Sequence, residues 1–371
     1  MINIGFDAKR FFHNNTGLGN YSRDLIRILN QHYPENNYFL YNPKKSKNKV
    51  FKTNNTNVFE KLPQSFFFKK FKNYWRQKGI VQDLVKDEVT LFHGMSGELP
   101  IGLKRNNIKS IVTIHDLIFI RYPNLYSFFD RKIHYLKFKK AAINADKIIA
   151  ISEQTKKDIV SFFKIEPEKI EVIYQGCQSV FKQTYSELEK QSVANKFHLP
   201  KEFVLNVGTI EKRKNALLIV KAIKNCNTKL VLIGKKTKYA LIIEEYITTH
   251  NLQDKVIFLN GISSQELAII YQLATVFVYP SLFEGFGIPI IEALYSKTPV
   301  ITSKDGVFPE AGGPNSIYID PYNAEELQEK IQILLKNGDL RNEMSTKGYE
   351  FAQRFNDDVI AKKIIDCYKS L

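Results

Sequence analysis

Short runs of apolar, mostly β-branched residues recur along the chain and are separated by segments such as 216–222, 265–273 and 324–335, which have helical periodicity. The short runs are at 111–114, 147–151, 170–173, 203–207, 229–233, 255–259, 276–279 and 299–302. They are nearly continuous rather than alternating, which is typical of parallel strands covered on both faces. The pattern therefore predicts an α/β protein with doubly wound parallel sheets.

The length of 371 residues predicts two such domains, because single hydrophobic cores stop growing near about 250–300 residues. We place an N-terminal domain at 1–184 and a C-terminal domain at 200–350, with the boundary in the polar stretch 183–201. Two domains imply a cleft between them. A lysine- and asparagine-rich run at 42–57 is interpreted as a mobile loop.

The composition is that of a soluble globular protein, with 44% hydrophobic and 25% charged residues. The sequence has no unbroken apolar window of the about 18 residues that a spanning helix needs. The N-terminus has a strand-like pattern without the features of a signal peptide, so we expect a cytoplasmic protein. Cys177, Cys226 and Cys367 show no metal-ligand spacing, and we interpret them as reduced thiols.

Positive charge is concentrated in the N-terminal half. Residues 1–200 hold 33 Lys plus Arg against 18 Asp plus Glu, whereas residues 201–371 hold 21 against 20. We therefore expect a partner of the N-terminal half that is anionic or lies on an anionic surface. Nucleic acid is a rival partner, but the sequence lacks a recognition-helix pattern, an aromatic RNA-binding strand and zinc-finger spacing.

Segment 61–78 is both basic and aromatic, with six Lys or Arg and no acidic residue. Its aromatic residues recur at helical spacing, which suits a helix on an anionic membrane surface. The alternative is a core-packing helix with a solvated basic face. The residues predicted to contact membrane or acceptor are Phe67, Lys69, Lys70, Phe71, Lys72 and Trp75.

The most informative segment has a strand, a glycine-broken loop and a helix, with one carboxylate at each end of the turn. Gly285 and Gly287 allow backbone N–H groups to approach a ligand. Glu284 lies in the loop and Glu292 about one turn into the helix, so we expect both to flank one ligand. The alternative is that Glu284 stabilises the helix dipole and Glu292 is a solvated helix position.

This segment resembles the E-x7-E signature of retaining glycosyltransferases of the GT-B fold, specifically family four (group 1). Within that family, the motifs at 17–21, 115–117 and 208–215 are most similar to those of mannosyltransferase-like members. Four further segments resemble motifs of that family in the expected order, at 4–21, 113–117, 151–159 and 203–215. The resemblance covers nearly the whole chain. It implies two Rossmann-like domains facing a cleft, with the acceptor in the N-terminal domain, the nucleotide sugar in the C-terminal domain, and a last helix, 357–371, that packs back on the N-terminal domain.

The resemblance also implies residue roles. Arg213 and Lys214 bind the donor diphosphate, Glu284 accepts hydrogen bonds from the sugar, and Glu292 accepts them from the ribose. His115 faces the sugar near the reacting carbon, and with Glu284, Arg213 and Lys214 it forms the expected catalytic set. The other implied donor-binding positions are Gly17, Gly19, Asp116, Gly208, Gly261, Ile262, Gly285, Phe286, Gly287 and Ile288.

The expected activity is transfer of a hexose or deoxyhexose, with retention, to a surface-polysaccharide or lipopolysaccharide intermediate at the inner face of the membrane. GDP-mannose is the first expected donor and a UDP-sugar the second. The sequence contains no Asp-x-Asp motif, so we expect neither a metal nor another cofactor. The alternatives are a nucleotide-sugar epimerase of the same fold and a non-catalytic basic protein that binds membranes or polyanions.

Overall fold

Two sheets of parallel strands form the frame of the protein in this computed structural model, which describes residues 1–45 and 56–371. Residues 46–55, most of the predicted loop 42–57, lie outside the described residues. The inner strands are buried along nearly their whole length: in Lys229–Ile233, every residue after the first is buried. Burial on both faces explains why these runs are continuous and not alternating.

Within the described residues, the first unit, 1–175 and 356–371, has a seven-stranded parallel sheet of order β3-β2-β1-β4-β5-β6-β7. These strands are β1 Asn3–Asp7, β2 Asn37–Tyr41, β3 Val58–Lys61, β4 Leu91–Gly94, β5 Lys109–Ile114, β6 Lys147–Ala150 and β7 Ile170–Val172. Its helices up to the unit boundary are α1 Lys9–His13, α2 Gly17–His32, α3 Phe66–Lys70, α4 Lys72–Tyr74, α5 Ile80–Lys86, α6 Ile118–Arg121, α7 Phe128–Asn144 and α8 Glu153–Phe163.

The second unit, 176–355, has a six-stranded parallel sheet of order β10-β9-β8-β11-β12-β13 among the residues described. These strands are β8 Phe203–Val207, β9 Lys229–Ile233, β10 Val256–Leu259, β11 Val276–Tyr279, β12 Val300–Ser303 and β13 Ile317–Ile319. Its helices are α9 Glu187–Lys196, α10 Ala216–Ile223, α11 Ala240–Thr249, α12 Ser264–Leu273, α13 Ile288–Tyr295, α14 Phe308–Gly312, α15 Ala324–Lys336 and α16 Gly338–Ala352. The predicted fold class, an α/β protein with two doubly wound Rossmann-like domains, is confirmed.

The last helix, α17 Asp357–Lys369, belongs to the first unit, where it contacts α2. Arg27 of α2 pairs with Asp357 at 2.7 Å between Nη1 and Oδ2. The carboxylate lies in the first turn of α17, where it also favours the helix dipole.

The units divide between Gln175 and Gly176, earlier than the predicted boundary region 183–201. That polar stretch holds α9 of the second unit, whose first turn is closed by a capping box between Ser186 and Glu189. Its polar composition reflects an exposed helix and not a linker. Throughout the described part of the chain, none of the helices is both long enough and apolar enough to cross a membrane.

The candidate site depends on the strand order of the second sheet. Strands β8 and β11 are neighbours, and both run parallel. The loops that follow Val207 and Tyr279 therefore leave the same edge of the sheet side by side. In open α/β sheets this carboxyl edge is where ligands bind.

Candidate active site

The loops after β8 and β11 are fixed to each other. The first contains a 3-10 turn at Lys212–Lys214 and ends at Asn215, which has a left-handed backbone with φ of 58°. Asparagine tolerates this conformation better than most residues. Its side-chain amide donates hydrogen bonds to the carbonyl oxygens of Pro280 at 3.2 Å and Pro321 at 2.7 Å. This arrangement holds the basic turn against the start of the glycine-broken loop.

Glu284 lies between the two cations of that turn. Its Oε1 is 2.7 Å from Lys214 Nζ, and its Oε2 is 2.7 Å from Arg213 Nη1. The carboxylate side chain is only 11% exposed, so solvent screens these pairs weakly. We call Glu284, Arg213 and Lys214 the Glu284 cluster.

The cluster keeps Glu284 ionised. Burial alone would raise the pKa of this carboxyl, but the charges of Lys214 and Arg213 and their hydrogen bonds outweigh burial and lower the pKa to about 2. Burial acts against the charged form of both basic residues as well, yet the carboxylate raises the pKa of each above its ordinary value. All three side chains therefore carry their charge at neutral pH.

Two further residues shape the position of Lys214. Its ammonium donates a hydrogen bond to Tyr279 Oη at 2.6 Å. Its methylene chain passes Gly208, where an added Cβ would lie 3.7 Å from the lysine side chain. The sequence analysis did not single out Tyr279. Its position at the end of the predicted strand 276–279 nevertheless indicates that it lies at the carboxyl edge of the sheet.

Arg213 has two further acceptors. Its guanidinium donates to the Phe283 carbonyl oxygen and to Glu211 Oε1, both at 2.7 Å. The fork of the guanidinium is thus shared between a backbone group and two carboxylates, which fixes its plane. Glu211 is more exposed than Glu284, at 37% against 11%.

Glu292 has a different environment from Glu284. It is half-buried on α13, and Tyr271 Oη donates a hydrogen bond to its Oε2 at 3.1 Å. Burial raises its pKa to about 7, and the Tyr271 hydrogen bond only partly offsets this rise. The carboxyl is therefore neither a fully solvated helix position nor permanently charged.

Aromatic rings connect the surroundings of the two carboxylates. Tyr279, which contacts Lys214, stacks on Phe277 with ring centres 5.8 Å apart. Phe277 in turn contacts Tyr271, the partner of Glu292, at 5.2 Å. Because Phe277 and Tyr279 are two positions apart on β11, they lie on one face of the sheet.

The glycine-broken loop leads directly into α13. Gly287 is the residue before the first helical position and has φ of 121°, which side chains of other residues rarely allow. Phe286 is buried and contacts Phe355 at 5.6 Å, so its side chain anchors the loop. Gly285 and Ile288 are half-buried beside it.

The two residues predicted near the nucleobase lie further along the sheet. Gly261, which is exposed, and Ile262, which is half-buried, follow β10. Strand β10 is an outer strand, separated from β11 by β9 and β8. Gly261 has φ of 68° and no atom within 4 Å of an added Cβ, so its surroundings are open.

In the first unit, His115 is held as a neutral ring. Its Nε2 is 3.0 Å from the Met95 carbonyl oxygen, and its Nδ1 is 3.0 Å from Gln175 Nε2. A carbonyl only accepts, so the proton lies on Nε2 and Nδ1 accepts from the amide. Burial lowers the pKa of His115 to about 4. Asp116 accepts a hydrogen bond from the Ile118 backbone at 3.1 Å and so orients the loop after β5.

Gly17 and Gly19 lie in the first turn of α2 and not in a loop. A Cβ on Gly19 would lie 1.8 Å from the Asn14 carbonyl oxygen, so only glycine fits there. Gly17 has open surroundings. Within the G-x-G pattern, packing therefore requires glycine at Gly19 but not at Gly17.

The predicted amphipathic helix over 61–78 is wrong in one respect. Residues Trp75–Gly79 form a π-helical turn after α3 and α4, and Trp75 is fully buried, with Nε1 donating to Asp83 Oδ2 at 2.7 Å. Its size and a buried acceptor direct it into the core. Phe67 and Phe71 remain about half exposed, and the exposed lysines beside them are Lys69, Lys70 and Lys72.

Comparisons with known proteins give matches along most of the chain. Residues 188–351 match the family model described as Glycosyl transferases group 1, and residues 17–178 match that of Glycosyltransferase Family 4. The chain is 33% identical to the O-antigen chain mannosyltransferase RfbU of Salmonella typhimurium, over 62% of each chain. It is 26% identical to O-antigen chain mannosyltransferase B of Escherichia coli, over 76% of this chain and 74% of that protein. The match to RfbU thus spans less than two thirds of its length.

Solved structures share the whole fold. Sucrose-phosphate synthase of Thermosynechococcus elongatus superimposes with a TM-score of 0.81 at 22% identity, covering 100% of this chain and 99% of that one. HepE of Anabaena, solved in complex with UDP, gives 0.80 at 17% identity, covering 100% of both chains. At these identities the likeness shows the GT-B fold alone.

Proposed function

Because this chain belongs to the group 1, family 4 glycosyltransferases, we propose that it transfers a hexose or deoxyhexose from a nucleotide sugar to a surface-polysaccharide or lipopolysaccharide intermediate. The observation that carries this proposal is the Glu284 cluster at the carboxyl edge of β8 and β11. A basic pair there suits a diphosphate, and a buried ionised carboxylate suits sugar hydroxyls. GDP-mannose is the first candidate donor, since the relatives are named mannosyltransferases, and a UDP-sugar is the second.

In the proposed reaction, Arg213 and Lys214 bind the diphosphate and stabilise the charge that develops as its bond to the anomeric carbon breaks. Glu284 then accepts hydrogen bonds from the sugar hydroxyls. The acceptor hydroxyl attacks the same face of the sugar, and its proton passes to the departing phosphate oxygen. Configuration is retained, and the two side-chain cations supply the positive charge without a metal ion.

Glu292 is proposed to accept hydrogen bonds from the two ribose hydroxyls. Only the ionised carboxylate offers acceptors at both oxygens. Since burial raises its pKa to about 7, the free protein holds this carboxyl partly protonated at neutral pH. Binding of the nucleoside selects the ionised form, so donor affinity rises as the pH rises through 7.

A cationic groove in the first unit supports an anionic acceptor, such as a glycan carried on a lipid phosphate. The groove encloses about 970 Å³. Its charged lining residues are Lys78, Glu98, Lys104, Arg105, Lys137 and Lys140. Glu98 is already paired with Arg76 and Lys137, so the lining has a clear positive excess. Its apolar lining includes Leu99, Pro100, Ile101 and Leu136, which suits an amphiphile.

We further propose that the protein lies peripherally on the inner face of the membrane. Phe66 is 83% exposed, and Phe67, Phe71 and Tyr74 are each about half exposed. Lys69, Lys70 and Lys72 are exposed in the same segment. We call these seven residues the aromatic-lysine patch; aromatic rings with lysines suit an anionic lipid surface.

A donor screen tests the proposed function. Thermal unfolding is measured with GDP-, UDP-, ADP- and dTDP-sugars, and transfer to acceptor is measured with and without a chelator. We expect one nucleotide class to stabilise the protein, by about 2.7 kcal/mol at 100 times its dissociation constant, and the chelator to leave the rate unchanged. No stabilisation by any nucleotide would contradict the proposal. Release of epimerised sugar without acceptor would identify an epimerase instead.

A further inference from the structure

A chain of hydrogen bonds, buried at His93 and partly buried at Tyr21, crosses the first unit from its C-terminal helix toward His115, and we propose that it positions the His115 ring. His93 Nδ1 is 2.7 Å from Tyr368 Oη, and His93 Nε2 is 2.7 Å from Thr113 Oγ1. Thr113 Oγ1 is 3.1 Å from Tyr21 Oη. The Tyr21 ring meets the His115 ring edge to face, with centres 4.6 Å apart.

The chain connects the neighbouring strands β4 and β5 to two helices that are distant from them in sequence, α2 and α17. His93 and Thr113 are fully buried, and Tyr368 is 3% exposed. Burying polar groups costs free energy unless each finds a partner, whereas apolar side chains would fill the same space without that requirement. The polar chain therefore contributes defined geometry more than stability.

The chain is a positioning device and not a proton switch. Burial, and then the nearby His115, lower the pKa of His93 to about 3, so the ring stays neutral across the physiological range. A neutral imidazole has one N–H and one acceptor nitrogen. His93 must therefore donate to one of Tyr368 and Thr113 and accept from the other, so its two hydrogen bonds have opposite directions.

Tyr21 is where the chain acts on His115. The Met95 carbonyl and the Gln175 amide bond to the two ring nitrogens, and the Tyr21 ring packs nearly perpendicular to the His115 ring. Without the Tyr21 hydroxyl, the bond to Thr113 is lost and the aromatic ring can shift against His115. Tyr21 also lies one turn after Gly17 on α2, so the same residue links His115 to the glycine turn.

The role of the chain in catalysis rests on the proposed function, but the positioning itself is measured independently. Nitrogen NMR of the His115 imidazole reports its tautomer and environment in wild type, Tyr21→Phe and Tyr368→Phe. The matched control is Tyr38→Phe, because Tyr38 is fully buried in the same unit and bonds to the Leu29 and Tyr33 carbonyls, outside the chain. We expect altered His115 signals in Tyr21→Phe and Tyr368→Phe, and unchanged signals in the control.

Transfer kinetics add a second readout. We expect Tyr21→Phe to lower kcat about tenfold with the donor KM unchanged, because a small displacement near the reacting carbon costs rate more than binding. His93→Gln, whose amide can both donate and accept, should retain more activity than His93→Leu. Unchanged His115 signals in Tyr21→Phe, or an equal loss of kcat in Tyr38→Phe, would overturn the inference. An inactive wild-type protein with altered signals in Tyr21→Phe would contradict the proposed function and leave the positioning supported.

Discussion

The two units hold Glu284 and His115, two of the candidate catalytic side chains, in opposite electrostatic states. In the second unit, Glu284 lies between Arg213 and Lys214, and all three are charged. In the first unit, His115 lies between a carbonyl and an amide and is neutral. Burial penalises charge in both places, but only Glu284 has partners of opposite charge that reverse the penalty.

This difference separates two kinds of task. A preformed set of charges can bind a charged diphosphate and stabilise charge that develops on it. A neutral ring held at both nitrogens offers fixed shape and a fixed hydrogen-bond direction. The comparison therefore predicts that variants of the Glu284 cluster change charge-dependent properties, whereas variants around His115 change geometry.

The largest effect is expected for Glu284→Gln. The variant keeps the shape but removes the negative charge, so the transfer rate should fall by about 100-fold or more. Nucleotide affinity should change far less, because Arg213 and Lys214 remain. Steady-state transfer and calorimetric nucleotide binding measure the two separately.

Glu211→Gln is the matched control for that variant. Glu211 also pairs with Arg213, but it is more exposed. Among the described residues its carboxylate has no ion pair with Lys214, and only its backbone carbonyl accepts a hydrogen bond from the Lys214 N–H, at 3.0 Å. We expect Glu211→Gln to retain most of its activity. Equal losses in the two variants would remove the special role of Glu284.

A smaller effect, about thirtyfold on kcat, is expected for His115→Gln. The folded-state pKa of His115 is about 4, below its ordinary value of 6.5. The unfolded chain therefore binds a proton first as the pH falls, and stability present above about pH 6.5 is lost toward pH 4. Part of that loss should disappear in His115→Gln, as urea titrations at several pH values would show. An identical pH profile in variant and wild type would contradict the buried neutral ring.

Glu292 should give the opposite pH dependence. Its folded-state pKa is raised from 4.5 to about 7, so the folded protein holds the proton longer and stability falls as the pH rises between those values. Glu292→Gln should abolish this decline.

In wild type, donor affinity should rise about tenfold from pH 6 to pH 8, since one pKa unit corresponds to a factor of ten. A donor affinity that does not change between pH 6 and pH 8 would contradict the proposed contact between Glu292 and the ribose.

The smallest effect is expected at the aromatic-lysine patch. Reversal of charge at Lys69, Lys70 and Lys72 should weaken binding to vesicles containing phosphatidylglycerol, by about 1 kcal/mol for each lysine, and should leave nucleotide binding unchanged. Reversal of Lys157 and Lys164, exposed lysines elsewhere in the first unit, is the control. Co-sedimentation that is unaffected by the patch variant would reject the membrane contact.

Periodicity and chain length were sufficient to predict two parallel α/β units, because strands buried on both faces must be continuously apolar. The E-x7-E segment likewise located a strand, a loop and a helix correctly. The pairing of Glu284 with Arg213 and Lys214 was not predictable, since it depends on β8 and β11 being neighbours although they are far apart in sequence.

Two other features also depended on tertiary contacts. Trp75 shares the helical spacing of exposed aromatic residues, but a buried acceptor, Asp83, determines its direction. His93 and Tyr368 lie far apart in sequence, and no sequence motif marks either of them. Their hydrogen bond depends on the position of α17 in the first unit. The spacing of residues along a helix or strand does not determine which of its side chains are buried against the rest of the protein.

The central claim is that Arg213 and Lys214 bind the diphosphate of a nucleotide sugar at the carboxyl edge of the second sheet. Calorimetric titration of the best donor from the screen into wild type and Lys214→Met tests it directly. The account predicts saturable binding to the wild type and a loss of affinity of about 100-fold in the variant, from removal of one buried charged contact. Equal affinity in both proteins would contradict it.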